Sequence, residues 1–212
     1  MIVINLKTYK QGKEVLKLVK IIQKYSPKAI IAVQPNDIEK IFSVFKRKIK
    51  IYSQHVDYLK KPGRDTGFIL PETIKKCGAK GSLLNHSEHP VSLETIKETI
   101  NQCNKLNLKL IVCSSNLKQV KEIKKLNPYS IAFEDPKLIE TKKSITKQNT
   151  KNLNKFVSLL KKTKIVPLCG AGISSKEDVL EAKKLGCKGV LVSSVVAKSK
   201  HPEKFLKEIS QI

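Results

Sequence analysis

Short apolar runs alternate with longer stretches in which apolar residues recur every three to four positions, from one end of the chain to the other. The runs cover residues 2–5, 29–33, 49–53, 81–84, 109–113, 130–133, 165–168 and 189–192. They are continuous rather than alternating and often β-branched, the pattern of strands covered on both faces. In the first intervening stretch Val15, Leu18, Val19 and Ile22 fall on one helical face. Further helices are predicted near 37–47, 71–77, 92–105, 116–126, 150–162, 175–185 and 202–210. Their ends carry chemical signals. Pro71 and Pro202 each stand before a glutamate at a helix start, and Ser174 or Ser175 can cap the helix that carries Glu177. Gly78 and Gly186 fall just past helix ends, where a left-handed residue is wanted.

Eight βα units without a linker or composition break predict one α/β domain over residues 1–212, a (β/α)8 barrel with a closed, parallel, eight-stranded sheet. An open doubly wound sheet is the structural alternative. At 212 residues the chain is short for a barrel. Trimmed outer helices are expected, with subunit contacts covering what they leave bare.

The formal net charge of +24 raises the question of a nucleic-acid partner. The lysines are spread along the whole chain, however, and many, such as Lys13, Lys17, Lys20 and Lys24, fall on polar helix faces. Solvated helix faces explain that distribution better, and a positive field also suits an anionic substrate. No apolar run is long enough to span a membrane, and the first residues enter a strand pattern rather than a signal-peptide pattern. Five cysteines, none in a C-x-x-C pair, suggest reduced thiols and a cytoplasmic protein rather than a zinc site or disulfide framework.

In such a barrel the chemistry collects at the C-terminal ends of the strands. Those ends offer Asn5 and Lys7, which two-residue spacing puts on one side of the first strand, then Gln54, His55 and Asp57 after the third. The fourth runs into Asn85-His86-Ser87-Glu88-His89, the sixth ends in Glu134, and the last two end in Cys169-Gly170-Ala171-Gly172 and Ser193-Ser194. His55 and His89 read as structural. A carboxylate base, an imidazole, a cation and a small-residue phosphate cradle on one rim point to proton abstraction next to a carbonyl in a phosphorylated substrate. That chemistry requires no metal.

These blocks resemble the triosephosphate isomerases of the short archaeal type. Asn5-Leu6-Lys7 is similar to their N-terminal motif, Ser53-Gln54-His55-Val56-Asp57 and Asp65-Thr66-Gly67 to their third strand and loop, and Asn85-His86-Ser87-Glu88 to their fourth-strand motif. Ala132-Phe133-Glu134 resembles the strand bearing the base, and Cys169-Gly170-Ala171-Gly172-Ile173 the seventh loop. The resemblance implies an isomerase of glycolysis and gluconeogenesis that interconverts dihydroxyacetone phosphate and D-glyceraldehyde 3-phosphate through an enediolate. It implies Glu134 as the base and His86 as a neutral electrophile beside the start of the fourth helix. It further implies Lys7 and Asn5 as partners of the developing charge, and Glu88 as a supporting carboxylate. Ile139, Glu140, Gly172, Ser193 and Ser194 would hold the phosphate. A homo-oligomer, a tetramer or failing that a dimer, would form through the loop around Thr66.

Two departures stand out. Where the family lid reads Ile-Gly-Thr-Gly, this chain has Ile139-Glu140-Thr141-Lys142, and Val195 stands where the eighth loop prefers glycine. Glu140 is expected to turn its side chain outward, with Lys142 and Lys143 offsetting its charge. Two other functions stay open on the sequence: a different phosphosugar-binding barrel enzyme, and a degenerate basic barrel that binds nucleic acid.

Overall fold

A computed structural model describes residues 1–61, 63–210 and 212. Eight strands, β1 (Ile2–Asn5), β2 (Ile30–Val33), β3 (Lys50–Ser53), β4 (Gly81–Leu84), β5 (Lys109–Ser114), β6 (Ser130–Glu134), β7 (Val166–Gly170) and β8 (Gly189–Val192), pair in sequence order. Every pairing is parallel, and β8 closes on β1 through Ile2–Val190 and Ile4–Val192. The sheet is therefore a closed barrel and not the open doubly wound alternative.

β1, β4 and β8 coincide with the predicted runs, and the other five strands differ from theirs by one or two residues at one or both ends. Helices α1 (Lys13–Tyr25), α2 (Pro35–Phe45), α3 (Pro71–Lys76), α4 (Leu93–Lys105), α5 (Leu117–Lys125), α7 (Thr150–Leu160), α8 (Lys176–Lys184) and α10 (Pro202–Ser210) form the outer ring. Two four-residue helices, α6 (Ile145–Gln148) and α9 (Ser194–Ala197), lie beside the catalytic rim and have too few residues to show a period in the sequence. Outer helix α3 is the trimmed one, only six residues long.

The caps follow the side chains. Pro71 occupies the first turn of α3, and Ser175 and Asp178 form a reciprocal capping box on α8. Gly78 and Gly186 take φ of 103° and 98°.

Two apolar layers result. Ile22, Ile31, Ile41, Leu84, Val112, Phe133 and Phe156 belong to the layer between sheet and helices. Val3, Ile30, Ala32, Tyr52, Leu83, Ile111, Ala132, Leu168 and Leu191 fill the barrel's interior. Each valine, leucine, isoleucine or phenylalanine among them contributes about 1.5–3 kcal/mol on burial. The interior layer also sets the phase of each strand, and that phase aims the residues at the rim.

Candidate active site

Side chains two apart on a strand share a face, so whatever follows an interior residue by two also points inward. Asn5 follows Val3 in this way, Glu134 follows Ala132, and Ser193 follows Leu191. All three line one cavity of about 610 Å³ at the C-terminal mouth of the barrel. Lys7, His86, Ile139, Glu140, Gly172 and Ser194 line it too. Nine of the ten site residues expected from the sequence thus share one space.

Lys7 gets there by a different route from the one its spacing suggested. β1 ends at Asn5, and Lys7 adopts φ of 45°, a left-handed conformation unusual for a lysine. The turn is braced on both sides of the residue. Asn5 Oδ1 accepts from Lys7 N–H at 3.0 Å, and Gln54 Nε2 donates to the Lys7 carbonyl at 2.8 Å. Its ammonium then meets Glu88 Oε1 at 2.5 Å. Glu88 is the one expected residue that does not line the cavity, but it touches Lys7 directly.

His86 is out of phase with the interior of β4, where Leu83 points inward. The strand stops at Leu84, and Asn85 turns the chain with φ of 58°. Asn85 Nδ2 donates to the Cys113 carbonyl at 2.9 Å and its Oδ1 accepts from Val91 N–H at 3.0 Å, which fixes the turn. The His86 imidazole is then 8% exposed, its Nε2 3.6 Å from Glu134 Oε1. Backbone N–H of Glu88 donates to His86 Nδ1 at 3.2 Å, so Nδ1 offers a lone pair and the proton sits on Nε2. That donor belongs to a tight turn, His86 to His89, closed by a 2.8 Å backbone bond. Helix α4 starts only at Leu93, so the group touching the imidazole is this turn amide and not the helix N-terminus expected from the sequence.

Glu134 is 6% exposed at the end of β6. Among the described residues its Oε1 has no hydrogen-bond partner, and neither has Ser193 Oγ. Buried polar atoms without partners are costly, and both of these belong to residues that line the cavity. Cys113 lies beside Glu134, its thiol pushed well up by burial and by the Glu134 carboxylate. It stays protonated. No group of three His, Cys, Asp or Glu side chains among the described residues is arranged to hold a metal ion.

The loop from Asp135 to Lys143 covers one side of the mouth. Asp135 caps Lys137 N–H and accepts from Asn149 Nδ2 at 3.0 Å, which ties down the first hinge. At the other end Ile145 N–H donates to the Ala171 carbonyl at 3.1 Å. Glu140 and Lys142 have φ of 62° and 59°. Glycine would take this left-handed backbone freely, and both residues carry a Cβ there. Glu140 lines the mouth with 48% of its side chain still exposed, and Lys142 is not among its ion-pair partners. It accepts from Tyr9 Oη and lies 3.7 Å from Lys198 Nζ. Val195, the other departure, sits inside α9 in ordinary helical backbone.

His55 and His89 stack at 4.0 Å, with His55 Nε2 3.1 Å from Asp57 Oδ1. They lie outside the cavity lining, as structural residues would. Burial lowers the pKa of His55, against the opposing pull of Asp57.

The family model for triosephosphate isomerase matches residues 1–211. The chain belongs to the triosephosphate isomerase family. Curated triosephosphate isomerases of Methanocaldococcus jannaschii and Sulfurisphaera tokodaii are 40% and 38% identical to it, over 99% and 98% of this chain and 98% and 92% of theirs. The solved triosephosphate isomerase of Bartonella henselae superposes with a TM-score of 0.72 over 98% of this chain and 96% of its own. At 15% identity that likeness speaks for the fold alone. Full-length membership makes the chain a triosephosphate isomerase, an enzyme that interconverts dihydroxyacetone phosphate and D-glyceraldehyde 3-phosphate. Another phosphosugar barrel and a degenerate nucleic-acid binder are not favoured.

Lys142, expected only as an offset to the Glu140 charge, also lines the cavity of this isomerase, as do Tyr9 and Lys198, which the sequence did not mark as site residues. The only signal for Lys198 was its place four residues after Ser194, one helical turn on.

Proposed function

We propose that Glu134 is the base of this isomerase and carries the proton between the two carbons. The observation that supports it is Glu134 Oε1, buried, without a partner and 3.6 Å from His86 Nε2. Its carboxylate removes a proton from C1 of dihydroxyacetone phosphate, and the C–H electron pair becomes the C1–C2 double bond of an enediolate. Charge develops on the C2 oxygen. His86 Nε2–H and the Lys7 ammonium stabilise it there, and Asn5 holds the turn that presents Lys7. The same proton returns to C2, the hydroxyl proton moves from O1 to O2, and glyceraldehyde 3-phosphate results. Glu88 keeps Lys7 in place. Backbone of Gly172, Ser193, Ser194 and the lid at Ile139 and Glu140 receives the phosphate, with Ser193 Oγ as a further donor. No cofactor takes part.

The whole chain acts as one barrel unit, in the cytoplasm, where its thiols stay reduced. It works as a homo-oligomer, a tetramer or failing that a dimer, through the loop around Thr66. That loop supports the reading. Its base is pinned by Asp57, whose Oδ2 accepts from Ile69 N–H at 2.7 Å, while Phe68, next to that tie, stands 48% exposed. Light scattering that finds an active monomer at micromolar concentration overturns the oligomer.

A coupled isomerase assay on purified protein tests the base. Glu134→Asp withdraws the carboxylate by about 1 Å and should lower kcat by on the order of 10²-fold with the fold intact. Unchanged kcat rules Glu134 out.

A further inference from the structure

Three side chains from three loops meet at the mouth of the cavity. Tyr9 comes from the loop after β1, Glu140 from the lid, and Lys198 from the residue that ends α9. Tyr9 Oη donates to Glu140 Oε1, and Lys198 Nζ lies 3.7 Å from that same oxygen and 5.1 Å from the centre of the Tyr9 ring. All three line the cavity beside Gly172, Ser193 and Ser194. Lys198 N–H closes the α9 turn onto the Ser194 carbonyl at 3.0 Å, so Lys198 stands directly above Ser194 on one face.

Two cations of the cavity, Lys7 and Lys198, are committed differently. Lys7 is 11% exposed, sits at the reacting end and is tied to Glu88 at 2.5 Å. Lys198 is 53% exposed and faces Glu140 over a longer distance, at the end where Ser193 Oγ has no partner. A phosphate with nearly two negative charges and three acceptor oxygens competes well against one carboxylate for such an ammonium.

We propose that Lys198 binds the phosphate group of the substrate, and that Glu140 is the counter-ion it leaves when the phosphate arrives. Tyr9 holds the carboxylate aside during this exchange and keeps the lid tied to the first loop over the loaded cavity. Glu140 thereby lowers the affinity for phosphate, and Lys198 raises it. The inference rests on the reading of Gly172, Ser193 and Ser194 as the phosphate end.

The test is inhibition by inorganic phosphate, with KM and kcat for glyceraldehyde 3-phosphate, in the unaltered enzyme, Lys198→Met, Lys198→Arg, Glu140→Gln and the double variant. Lys198→Met should weaken phosphate about tenfold and raise KM alike, with kcat changed less and Lys198→Arg restoring most of the loss. Glu140→Gln should tighten phosphate severalfold at low salt, the gain shrinking as salt rises. The double variant should match Lys198→Met, because the cation being competed for is gone. A pair that merely ties the lid down would shift phosphate affinity in the same direction in both single variants. That outcome, or a Lys198→Met enzyme with unchanged phosphate inhibition, overturns the proposal. If inorganic phosphate does not compete with substrate in the unaltered enzyme, the phosphate end itself has been misread, a separate failure.

Discussion

The backbone N–H of Glu88 donates to Nδ1 of His86 across 3.2 Å, while Oε2 of the same Glu88 lies 3.7 Å from that nitrogen. The two contacts ask for different imidazoles. A bond to the carboxylate would need a proton on Nδ1, whereas an N–H aimed at Nδ1 requires a lone pair there. The amide contact is the shorter and is held by the turn, and the Glu88 carboxylate spends its other oxygen on Lys7.

The first prediction follows from that geometry. Nitrogen-15 spectra of the unliganded enzyme near neutral pH should show His86 as the neutral tautomer protonated at Nε2. His86→Gln, which keeps a donor but not the ring, should lower kcat by on the order of 10²-fold. An imidazolium signal for His86 would mean that the carboxylates win and that the turn amide is not its partner.

How much of this was legible in the sequence depends on what each feature is made of. Strands buried on both faces must be apolar throughout, so all eight showed as runs, and Glu134 and Ser193 inherited their direction from the alternation. Lys7 and His86 were found by type and place, but their reach depends on left-handed residues at positions 7 and 85. Nothing in a lysine announces such a backbone. The same holds for Glu140 and Lys142, whose conformation shows only in the folded loop. Lys198 was one basic residue among 42, distinguished only by its partner across the cavity.

Lys142 supplies the second prediction. Left-handed backbone costs a side-chain-bearing residue about 1–2 kcal/mol, and glycine gives back about 0.5–1 kcal/mol through the freer unfolded chain. Among the described residues the Lys142 side chain makes no hydrogen bond or ion pair that would be lost. Lys142→Gly should therefore raise Tm by about 2 °C. Calorimetry showing a fall of that size would contradict a left-handed position 142.

Two glycines of the seventh loop should separate the two halves of catalysis. A Cβ on Gly170 would lie 3.1 Å from Glu134 Oε2 and 3.0 Å from the Leu191 carbonyl. The carboxylate is the movable partner, so Gly170→Ala should displace the base by tenths of an ångström. A fall in kcat of about tenfold with little change in KM is expected. A Cβ on Gly172 would meet the Lys143 carbonyl at 1.9 Å, and φ there is 73°. Backbone must yield in that case, so Gly172→Ala should push the lid's end off the seventh loop and raise KM at least tenfold, on the cost of a strained backbone. Steady-state kinetics on both variants checks the contrast. The reverse pattern would put the base and the phosphate at the wrong ends of the cavity.

The last prediction concerns acid. His55 is held below its ordinary pKa, first by burial, with the neighbouring His89 adding to it and Asp57 opposing. In the unfolded chain a histidine takes up a proton as pH falls through about 6.5, while the folded His55 still excludes it. The unfolded state then binds more protons than the folded one, so stability rises with pH across this window and is lost on acidification below it. The loss is local. Asp57, the partner of His55, also accepts from Ile69 N–H at 2.7 Å, and its own backbone N–H donates to the Ile69 carbonyl at 2.8 Å. A charged His55 would face the stacked His89 and strain the root of the loop that carries Thr66. Lowering pH from about 7.5 to about 5.5 should thus reduce Tm and promote dissociation together, while His55→Gln should flatten both responses. Thermal scans and light scattering at the two pH values measure them. Equal acid sensitivity in the His55→Gln enzyme would place the titrating group elsewhere.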